Sequence, residues 1–325
     1  QRQMCIRDRL VVTGFSWDAD HNFFGWLRAY HWNGTALTVL DTKTWAGSQA
    51  TSFNVDVGDL DGDGTEEIVT VGWTGEWETM NSQIRVWSWN DGLHLKESKK
   101  WIQEGSTWSK CYDVSLGRLN GRTMIATVGY FGLGDKTHAE VRLWGYESDL
   151  SLAAAEKWES EGDVLVLGVF MDENRIYTVG MSKDGNYANA QLRVWKYGSL
   201  TLEASEEWHT VGNTLACNVF AADVDGDGAK EVLTVGWAND GRRSRAQLRV
   251  WDYDSGLTLK DSEEWYKEED THSFSVFAAD VDGDGANEIL TSGNANDFKL
   301  CQITIWSYPD VENPMISGLT PGRRG

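Results

Sequence analysis

The chain has 325 residues, a formal net charge of −21 and a hydrophobic fraction of 41%, and it contains 18 tryptophans. This length and apolar content suffice to bury a core, which excludes a disordered acidic segment. The negative charge argues against a nucleic-acid partner, because neutralising phosphates requires clustered Lys and Arg. The chain has no apolar run of 18 residues, so no membrane-inserted helix is predicted. Its four cysteines form no CxxC or Cys/His cluster, so no zinc site is predicted either.

Residues 1–9, QRQMCIRDR, differ from the rest of the chain and lack the apolar core of a signal peptide. We interpret them as an atypical N-terminal segment. From residue 10 onward, two strand-like patterns alternate. One has a Gly as its second-last residue, as in EEIVTVGW and KEVLTVGW, and the other is rich in aromatics, as in QIRVWSW and QLRVWDY. The aromatic marker of the second pattern recurs every 51 to 57 residues, at Tyr30, Trp87, Trp144, Trp195, Trp251 and Trp306. Such regularity indicates internal repeats.

The repeat divides the chain into six units at residues 10–45, 46–101, 102–158, 159–208, 209–265 and 266–308, followed by a Pro/Gly-containing tail at 309–325. Each full unit is predicted to hold four short strands, A to D; in the fifth unit these are CNVFAAD, EVLTVGW, QLRVWDYD and LTLKDSEEW. A recurring Arg beside the strand-C Trp is expected to stack on an indole ring. All three prolines lie in the last 17 residues, which suits a chain that is nearly all sheet.

Four strands in a unit of about 55 residues predict an all-β fold, a β-propeller of four-stranded blades. A solenoid is the alternative, but solenoid repeats are usually shorter. The first unit begins at strand B and the sixth ends after strand C. Six units are therefore visible, and we expect either a fragment of a seven-bladed ring or six blades in which the tail supplies the missing edge pairing.

An acidic motif occurs between strands A and B in units 2, 5 and 6. Its carboxylates fall at positions 1, 3, 5 and 9, and its glycines at positions 4 and 6. The residues predicted to hold a cation, which include position 7, are Asp59, Asp61, Asp63, Thr65 and Glu67 in unit 2, Asp223, Asp225, Asp227, Ala229 and Glu231 in unit 5, and Asp280, Asp282, Asp284, Ala286 and Glu288 in unit 6.

This many hard oxygen ligands favours Ca²⁺ over transition metals, and over Mg²⁺, which keeps its waters and needs a rigid octahedron. We therefore predict about three Ca²⁺ ions, one in each loop. An EF-hand is disfavoured because the loop runs directly into a strand and lacks the Glu at position 12. A pair of catalytic acids is disfavoured because the motif occurs three times. A solvated acidic turn remains the plain alternative.

Units 3 and 4 have lost the motif. Arg118 stands where the first Asp of unit 3 would fall, and the loop of unit 4 is shortened to Asp172, Glu173 and Asn174. These units are expected to bind no ion. This pattern suits separate ions that each stabilise one blade better than one shared functional site.

The string VFAADVDGDGAKEVLTVG resembles the calcium-binding blade motif of FG-GAP/VCBS-type repeats, the family that includes integrin α-chain propellers. The resemblance covers residues of about 10 to 308 and is most specific in the DxDxDG loops of units 2, 5 and 6. The Gly-Ala-Pro that follows strand B in that family is replaced here by Gly-Trp or similar. The resemblance implies an extracellular or cell-surface binding propeller whose ions hold the blades together rather than react.

In such a fold the B–C and D–A loops lie on the face opposite the acidic loops, and binding sites of the resembled family usually use that face. Aromatic residues that recur after the strand-B Gly, such as Trp73 and Tyr130, are predicted to be packing residues. Non-recurring loop residues are better candidates for ligand contact, and these are Trp77, Phe131, Tyr187, Arg242 and Arg243. The alternative is that these are ordinary loop residues without a role in ligand binding.

Three classes of function stay open at this point. The favoured one is adhesion or recognition of a glycan or protein by a surface propeller that forms part of a larger chain. A structural spacer domain is the second. An enzyme, such as a propeller-type polysaccharide lyase, is the third, but the six histidines are scattered over different units and form no catalytic constellation, so no catalytic residue is predicted.

Overall fold

The computed structural model describes residues 9–46, 49–76, 79–210, 212–267, 269–308 and 316–321, and these residues form strands and turns without a helix. The chain divides into two compact units, Gln1–Trp158 and Glu159–Gly325. Each unit holds three antiparallel sheets, one for each predicted repeat. The protein is therefore all-β, with six blades of the β-propeller class, and the predicted fold class is confirmed. Strands of a blade are lettered A to D by their position in the repeat.

The first compact unit contains blades 1 to 3. In blade 1 the described strands correspond to B, C and D of the repeat, and in blade 2 strand A is split into two short segments that both pair with strand B. The strands are β1 (Arg9–Trp17), β2 (Phe23–Trp32) and β3 (Leu37–Trp45) in blade 1; β4 (Gln49–Ala50), β5 (Asn54–Gly58), β6 (Glu67–Glu76), β7 (Thr79–Trp89) and β8 (Leu93–Trp101) in blade 2; and β9 (Trp108–Leu119), β10 (Arg122–Leu133), β11 (Lys136–Tyr146) and β12 (Leu150–Trp158) in blade 3.

The second compact unit contains blades 4 to 6, each a four-stranded sheet in simple A-B-C-D order. Its strands are β13 (Val164–Met171), β14 (Arg175–Asp184), β15 (Tyr187–Lys196) and β16 (Thr201–Trp208) in blade 4; β17 (Thr214–Ala222), β18 (Glu231–Asn239), β19 (Ser244–Tyr253) and β20 (Leu257–Trp265) in blade 5; and β21 (His272–Ala279), β22 (Glu288–Ala295), β23 (Leu300–Trp306) and β24 (Ile316–Pro321) in blade 6.

Strand β24 lies in the segment that the sequence pattern marks as a tail. It pairs antiparallel with β23, from Ile305 opposite Ile316 to Leu300 opposite Pro321, and completes the fourth strand of blade 6. The expectation that the sixth unit ends after strand C is therefore wrong. The segment ISGLTP lacks the closing Trp of the other D strands, so the repeat pattern gives no sign of it. The edge pairing required by the six-bladed alternative is present.

Strand A carries a bulge at the same place in blades 3 to 6, and this bulge explains the recurring Gly of strand B. One extra residue interrupts the register with strand B, at Tyr112, Leu167, Cys217 and Phe274. Beside it, the backbone of strand A comes so close that a Cβ on the strand-B Gly would lie 1.9–2.2 Å from a carbonyl oxygen, at Gly129, Gly180, Gly236 and Gly293, and also at Gly72 of blade 2. Only glycine fits this approach.

The Thr and Trp of the repeat form a buried hydrogen bond inside each of blades 2 to 6. In blade 5, Trp251 Nε1–H donates to Thr234 Oγ1 over 3.0 Å, and both residues are buried. The same bond, of 2.9–3.0 Å, joins Trp87 to Thr70, Trp144 to Thr127, Trp195 to Thr178 and Trp306 to Thr291. It satisfies the indole N–H and the hydroxyl together, which a buried polar pair requires.

A second Trp, at the end of strand D, joins one blade to the next. Trp208 of blade 4 packs on Trp251 of blade 5 with ring centroids 5.1 Å apart, and its Nε1–H donates to Gln247 Oε1 over 2.6 Å. The guanidinium of Arg249 lies over both rings, 5.3 and 5.9 Å from their centroids. Trp101, Trp144 and Arg142 repeat the arrangement between blades 2 and 3. The predicted stacking of the recurring Arg is confirmed.

Candidate functional site

The acidic loop of blade 5 folds around the carboxylate of its first aspartate. Asp223 directly follows β17, and its two carboxylate oxygens accept the backbone N–H groups of Gly226 and Gly228 over 2.7 and 3.0 Å. Asp59 and Asp280 make the equivalent bonds in blades 2 and 6. The three loops therefore share one backbone conformation, set by an aspartate that reaches across its own turn.

Both glycines of each loop adopt a left-handed backbone. In blade 5, φ is +78° at Gly226 and +89° at Gly228. The four equivalent glycines, Gly62, Gly64, Gly283 and Gly285, have φ between +79° and +95°. A side chain at these positions would be strained, so the motif needs Gly for its shape.

The last carboxylate of the motif belongs to the first residue of strand B and is buried. Glu231 is 2% exposed, and its Oε2 accepts the backbone N–H of Val224 over 3.0 Å. Glu67 and Glu288 bind Leu60 and Val281 in the same way. Burial raises the pKa of Glu67 and Glu231, and the negative charge of nearby aspartates adds to the rise. A buried carboxylate of this kind gains from a cation beside it.

Positions 1, 3 and 9 of each loop bring three carboxylates together. One oxygen from each lies within 4.8 Å of the others, in the groups Asp59, Asp61 and Glu67; Asp223, Asp225 and Glu231; and Asp280, Asp282 and Glu288. These three clusters can hold metal ions. At position 5, Asp63, Asp227 and Asp284 instead accept the backbone N–H of position 7, at Thr65, Ala229 and Ala286 respectively. The predicted role of positions 5 and 7 as ligands stays a prediction.

Blade 2 differs from the other two because a lysine lies at its cluster. Lys96 of strand D places its Nζ 3.4 Å from Glu67 Oε1 and 3.5 Å from Asp61 Oδ2. In blade 5, the lysine at the same point of strand D, Lys260, pairs with Asp252 instead, at 3.6 Å. A cation in blade 2 would therefore compete with an ammonium group paired directly with two of its carboxylates, whereas the ammonium in blade 5 pairs with Asp252 and interacts with Asp225 only at longer range. The DxDxDG motif itself carries no sign of this difference, because the lysine comes from another strand.

Where the motif is lost, other groups take its place. In blade 4, Asp172 Oδ1 accepts the backbone N–H groups of Asn174 and Arg175, both over 2.8 Å, and Oδ2 accepts the hydroxyl of Tyr177 over 3.2 Å. In blade 3, Arg118 lines a cavity of about 510 Å³ together with Asp59 and Asp61 of blade 2. That blades 3 and 4 bind no ion stays a prediction.

The predicted ligand-contacting residues have different surroundings. Tyr187 is 49% exposed, and Arg242 is exposed on the loop between β18 and β19. Phe131 is only 2% exposed and stacks on His138, with ring centroids 5.4 Å apart, so it offers no open ring to a ligand. Trp77 lies outside the described residues.

Arg243 belongs to a small cluster that the sequence does not reveal. Its guanidinium lies 5.6 Å from the ring centroid of Tyr266, and that of Arg245 lies 5.2 Å from the same ring. Arg243 also pairs with Glu269 at 3.7 Å. Arg243 lies in the B–C loop and Arg245 at the start of strand C, whereas Tyr266 and Glu269 follow strand D. The B–C and D–A loops of blade 5 thus meet at one end of the blade, as predicted.

No protein-family profile matches the chain, and no curated protein matches it. Among solved structures, the chain is similar to the propeller of Dos1, with 9% identity and a TM-score of 0.49 over 93% of this chain and 67% of that one. It is also similar to a mutant Aleuria aurantia lectin in complex with Fucα1-6GlcNAc, with 9% identity and a TM-score of 0.49 over 97% and 96% of the two chains. For Chaetomium thermophilum Sqt1, the identity is 10% and the TM-score 0.37 over 94% and 93%.

With TM-scores below 0.5, these likenesses assign neither a ligand nor a family. Membership of the FG-GAP/VCBS family stays a prediction. The fold and the loops define a β-propeller in which three blades carry a carboxylate cluster able to hold a cation. Among the residues that the structure describes, no helix is long and apolar enough to span a membrane.

Proposed function

We propose that this chain is a calcium-stabilised propeller of the FG-GAP/VCBS type that binds a glycan or protein ligand outside the cell or on its surface. The observation that carries the calcium part is the repeated trio of convergent carboxylates at one position in three blades. Two unit charges 4 Å apart repel by about 4 kcal/mol at an effective dielectric of 20, so a third carboxylate makes an ion-free loop costly. A divalent cation removes this cost.

The donor set fits Ca²⁺ in blades 5 and 6. Each loop offers carboxylate oxygens from three residues, and its backbone is already shaped by the two left-handed glycines. Ca²⁺ accepts six to eight oxygens in flexible geometry, so backbone carbonyls and water complete its shell. The ion would join the end of strand A, at the first Asp, to the start of strand B, at the Glu. This is a role in holding the blade rather than in a reaction.

A ligand-binding role is supported by the opposite ends of the blades, where loops carry exposed aromatic and basic groups. Tyr187, Tyr266 and Arg242 are exposed there in a chain of strongly negative charge. Binding surfaces are commonly built from aromatic residues and Arg set on rigid strands. We therefore propose binding, not catalysis, and place it on the B–C and D–A loops.

Calorimetric titration of chelator-treated protein with CaCl₂ tests the calcium part. We expect two tighter sites, in blades 5 and 6, and a weaker third site in blade 2, where Lys96 must move aside. The Glu231→Gln variant is expected to bind one ion fewer, since the amide can keep the bond to Val224 but lacks the charge. Glu173→Gln, in the shortened loop of blade 4, is the matched control and should leave the stoichiometry unchanged.

Absence of calcium binding at millimolar concentration, or an unchanged stoichiometry in Glu231→Gln, would contradict the calcium proposal. The binding role is tested separately on glycan and protein arrays, with calcium and with chelator. Retention of a ligand that is weakened by chelation supports the proposal. A chain that retains nothing on either array contradicts the binding role.

A further inference from the structure

An aromatic cluster lies at the loop end of blades 5 and 6, at the ends of strands β18 and β21 opposite those that carry the acidic loops. The rings of His272, Phe274 and Phe298 are nearly parallel, at interplanar angles of 10° to 28°, and their centroids are 5.2 to 6.4 Å apart. Trp237 of blade 5 meets His272 edge-on at 5.4 Å and 89°. We call these four residues the blade 6 aromatic cluster.

Two rings of the cluster are open to solvent. Phe298 is 65% exposed and Phe274 is 43% exposed. Phe274 is the extra residue of the strand-A bulge, and Phe298 is in the turn between β22 and β23. Neighbouring exposed phenylalanines are unfavourable in water and commonly mark a binding surface.

The turn that presents Phe298 has an unusual backbone. Asn296, Asp297 and Phe298 follow one another with φ of +51°, +52° and +63°. The left-handed region is tolerated by Asn and Asp but is a strained conformation for a bulky residue such as Phe. The equivalent turns of blades 3, 4 and 5 relieve this strain with a glycine, at Gly134, Gly185 and Gly241. In blade 6 a large exposed ring occupies the strained position, which is typical of functional sites.

Polar groups border the rings. His272 and Asn294 are 8% and 7% exposed, and His272 Nδ1 lies 3.0 Å from Asn294 Oδ1. Since an amide oxygen accepts, Nδ1 donates this bond, and Nε2 is the ring nitrogen with no hydrogen-bond partner among the described residues. The backbone N–H of Asp297 donates to the carbonyl of Asp270 over 3.3 Å, which ties the turn to the preceding D–A loop.

We propose that the blade 6 aromatic cluster binds the pyranose ring of a neutral sugar. The exposed faces of Phe298 and Phe274 would stack on the C–H face of the sugar, and Nε2 of His272 would form a hydrogen bond with a sugar hydroxyl. Aromatic faces with a few fixed polar groups at their edge are the usual composition of such small-ligand sites. A neutral sugar is favoured over an acidic one because the chain carries a net charge of −21 and Asp297 lies in the turn.

This inference rests on the proposed binding role, and its test separates the two. The full chain, saturated with calcium, is examined by saturation-transfer NMR with four methyl pyranosides, those of galactose, glucose, mannose and N-acetylglucosamine. Wild-type protein is expected to transfer saturation to at least one of them. The Phe298→Gly variant should weaken that binding at least tenfold while its unfolding temperature stays the same or rises, because Gly relieves the strain of the left-handed turn.

Phe277→Ala is the matched control. Phe277 lies on β21, the strand that carries Phe274, and is 52% exposed, but it packs on Phe220 instead of the cluster. It should keep the wild-type affinity. If a pyranoside binds equally well to wild type and Phe298→Gly, the site is wrong although the glycan-binding role stands. If no pyranoside binds to wild type, the sugar assignment is overturned, and a protein ligand found on the arrays would then leave the binding role in place.

Discussion

Replacing Gly236 with Ala is expected to lower the free energy of unfolding by about 3 kcal/mol. The new Cβ would lie 1.9 Å from the carbonyl oxygen of Leu215 and 2.9 Å from the Cα of Ala216. Both contacts are to backbone, so a side-chain rotation cannot relieve them, and strand A must separate from strand B. Denaturant unfolding followed by tryptophan fluorescence measures the effect.

Gly256→Ala is the control for this prediction. Gly256 lies in the turn between β19 and β20, has no heavy atom within 4 Å of an added Cβ and does not need a left-handed backbone. Its replacement should change stability by no more than about 0.5 kcal/mol. Equal midpoints for the two variants would show that the close approach at the strand-A bulge does not govern the recurring Gly.

Removing the Trp251 ring is expected to have an effect of similar or larger size. Trp251→Ala deletes a buried side chain that contacts Trp208 and lies beneath Arg249, and such truncations cost about 3–5 kcal/mol. Trp251→Phe keeps most of the ring but leaves the buried hydroxyl of Thr234 without its donor, at a cost of about 1–3 kcal/mol. Adding Thr234→Val to Trp251→Phe should recover part of that loss.

The comparison variant is Trp32→Ala, because Trp32 is 49% exposed at the end of β2, and it should lose far less stability than Trp251→Ala. Chemical denaturation of wild type, Trp251→Phe, Thr234→Val and the double variant gives the interaction energy of the Trp–Thr pair as a double-mutant cycle. If Thr234→Val lowers stability further when it is added to Trp251→Phe, the role assigned to the bond is contradicted.

The repeat pattern predicts the blades because it records features that every blade must satisfy. Gly236, Thr234 and Trp251 each meet a fixed geometric need, a close backbone approach or a buried hydrogen bond, so their spacing recurs and reveals the strands. Strand β24 pairs with β23 through backbone hydrogen bonds. Backbone pairing leaves no side-chain pattern, which is why the sequence places this strand in a tail.

The candidate site is predictable to a similar extent. The acidic loops are local, so their glycines and the trio of Asp223, Asp225 and Glu231 follow from the motif. Lys96 is not predictable, since it reaches its cluster from strand D across the blade. The prediction that Phe131 is an open loop residue is wrong because β10 continues to Leu133 before a short turn, and the pairing of Phe131 with His138 buries it. Phe298 escapes prediction because backbone strain is invisible in sequence.

Thermal unfolding in calcium and in chelator tests the central claim most directly. An ion that binds only the folded protein adds about 2.7 kcal/mol of stability per site at a hundredfold excess over its Kd. Two saturated sites should therefore raise the unfolding temperature by roughly 10 °C or more over the value in EDTA, given about 2–4 °C per kcal/mol for a large domain. Equal unfolding temperatures in millimolar calcium and in EDTA would contradict the account.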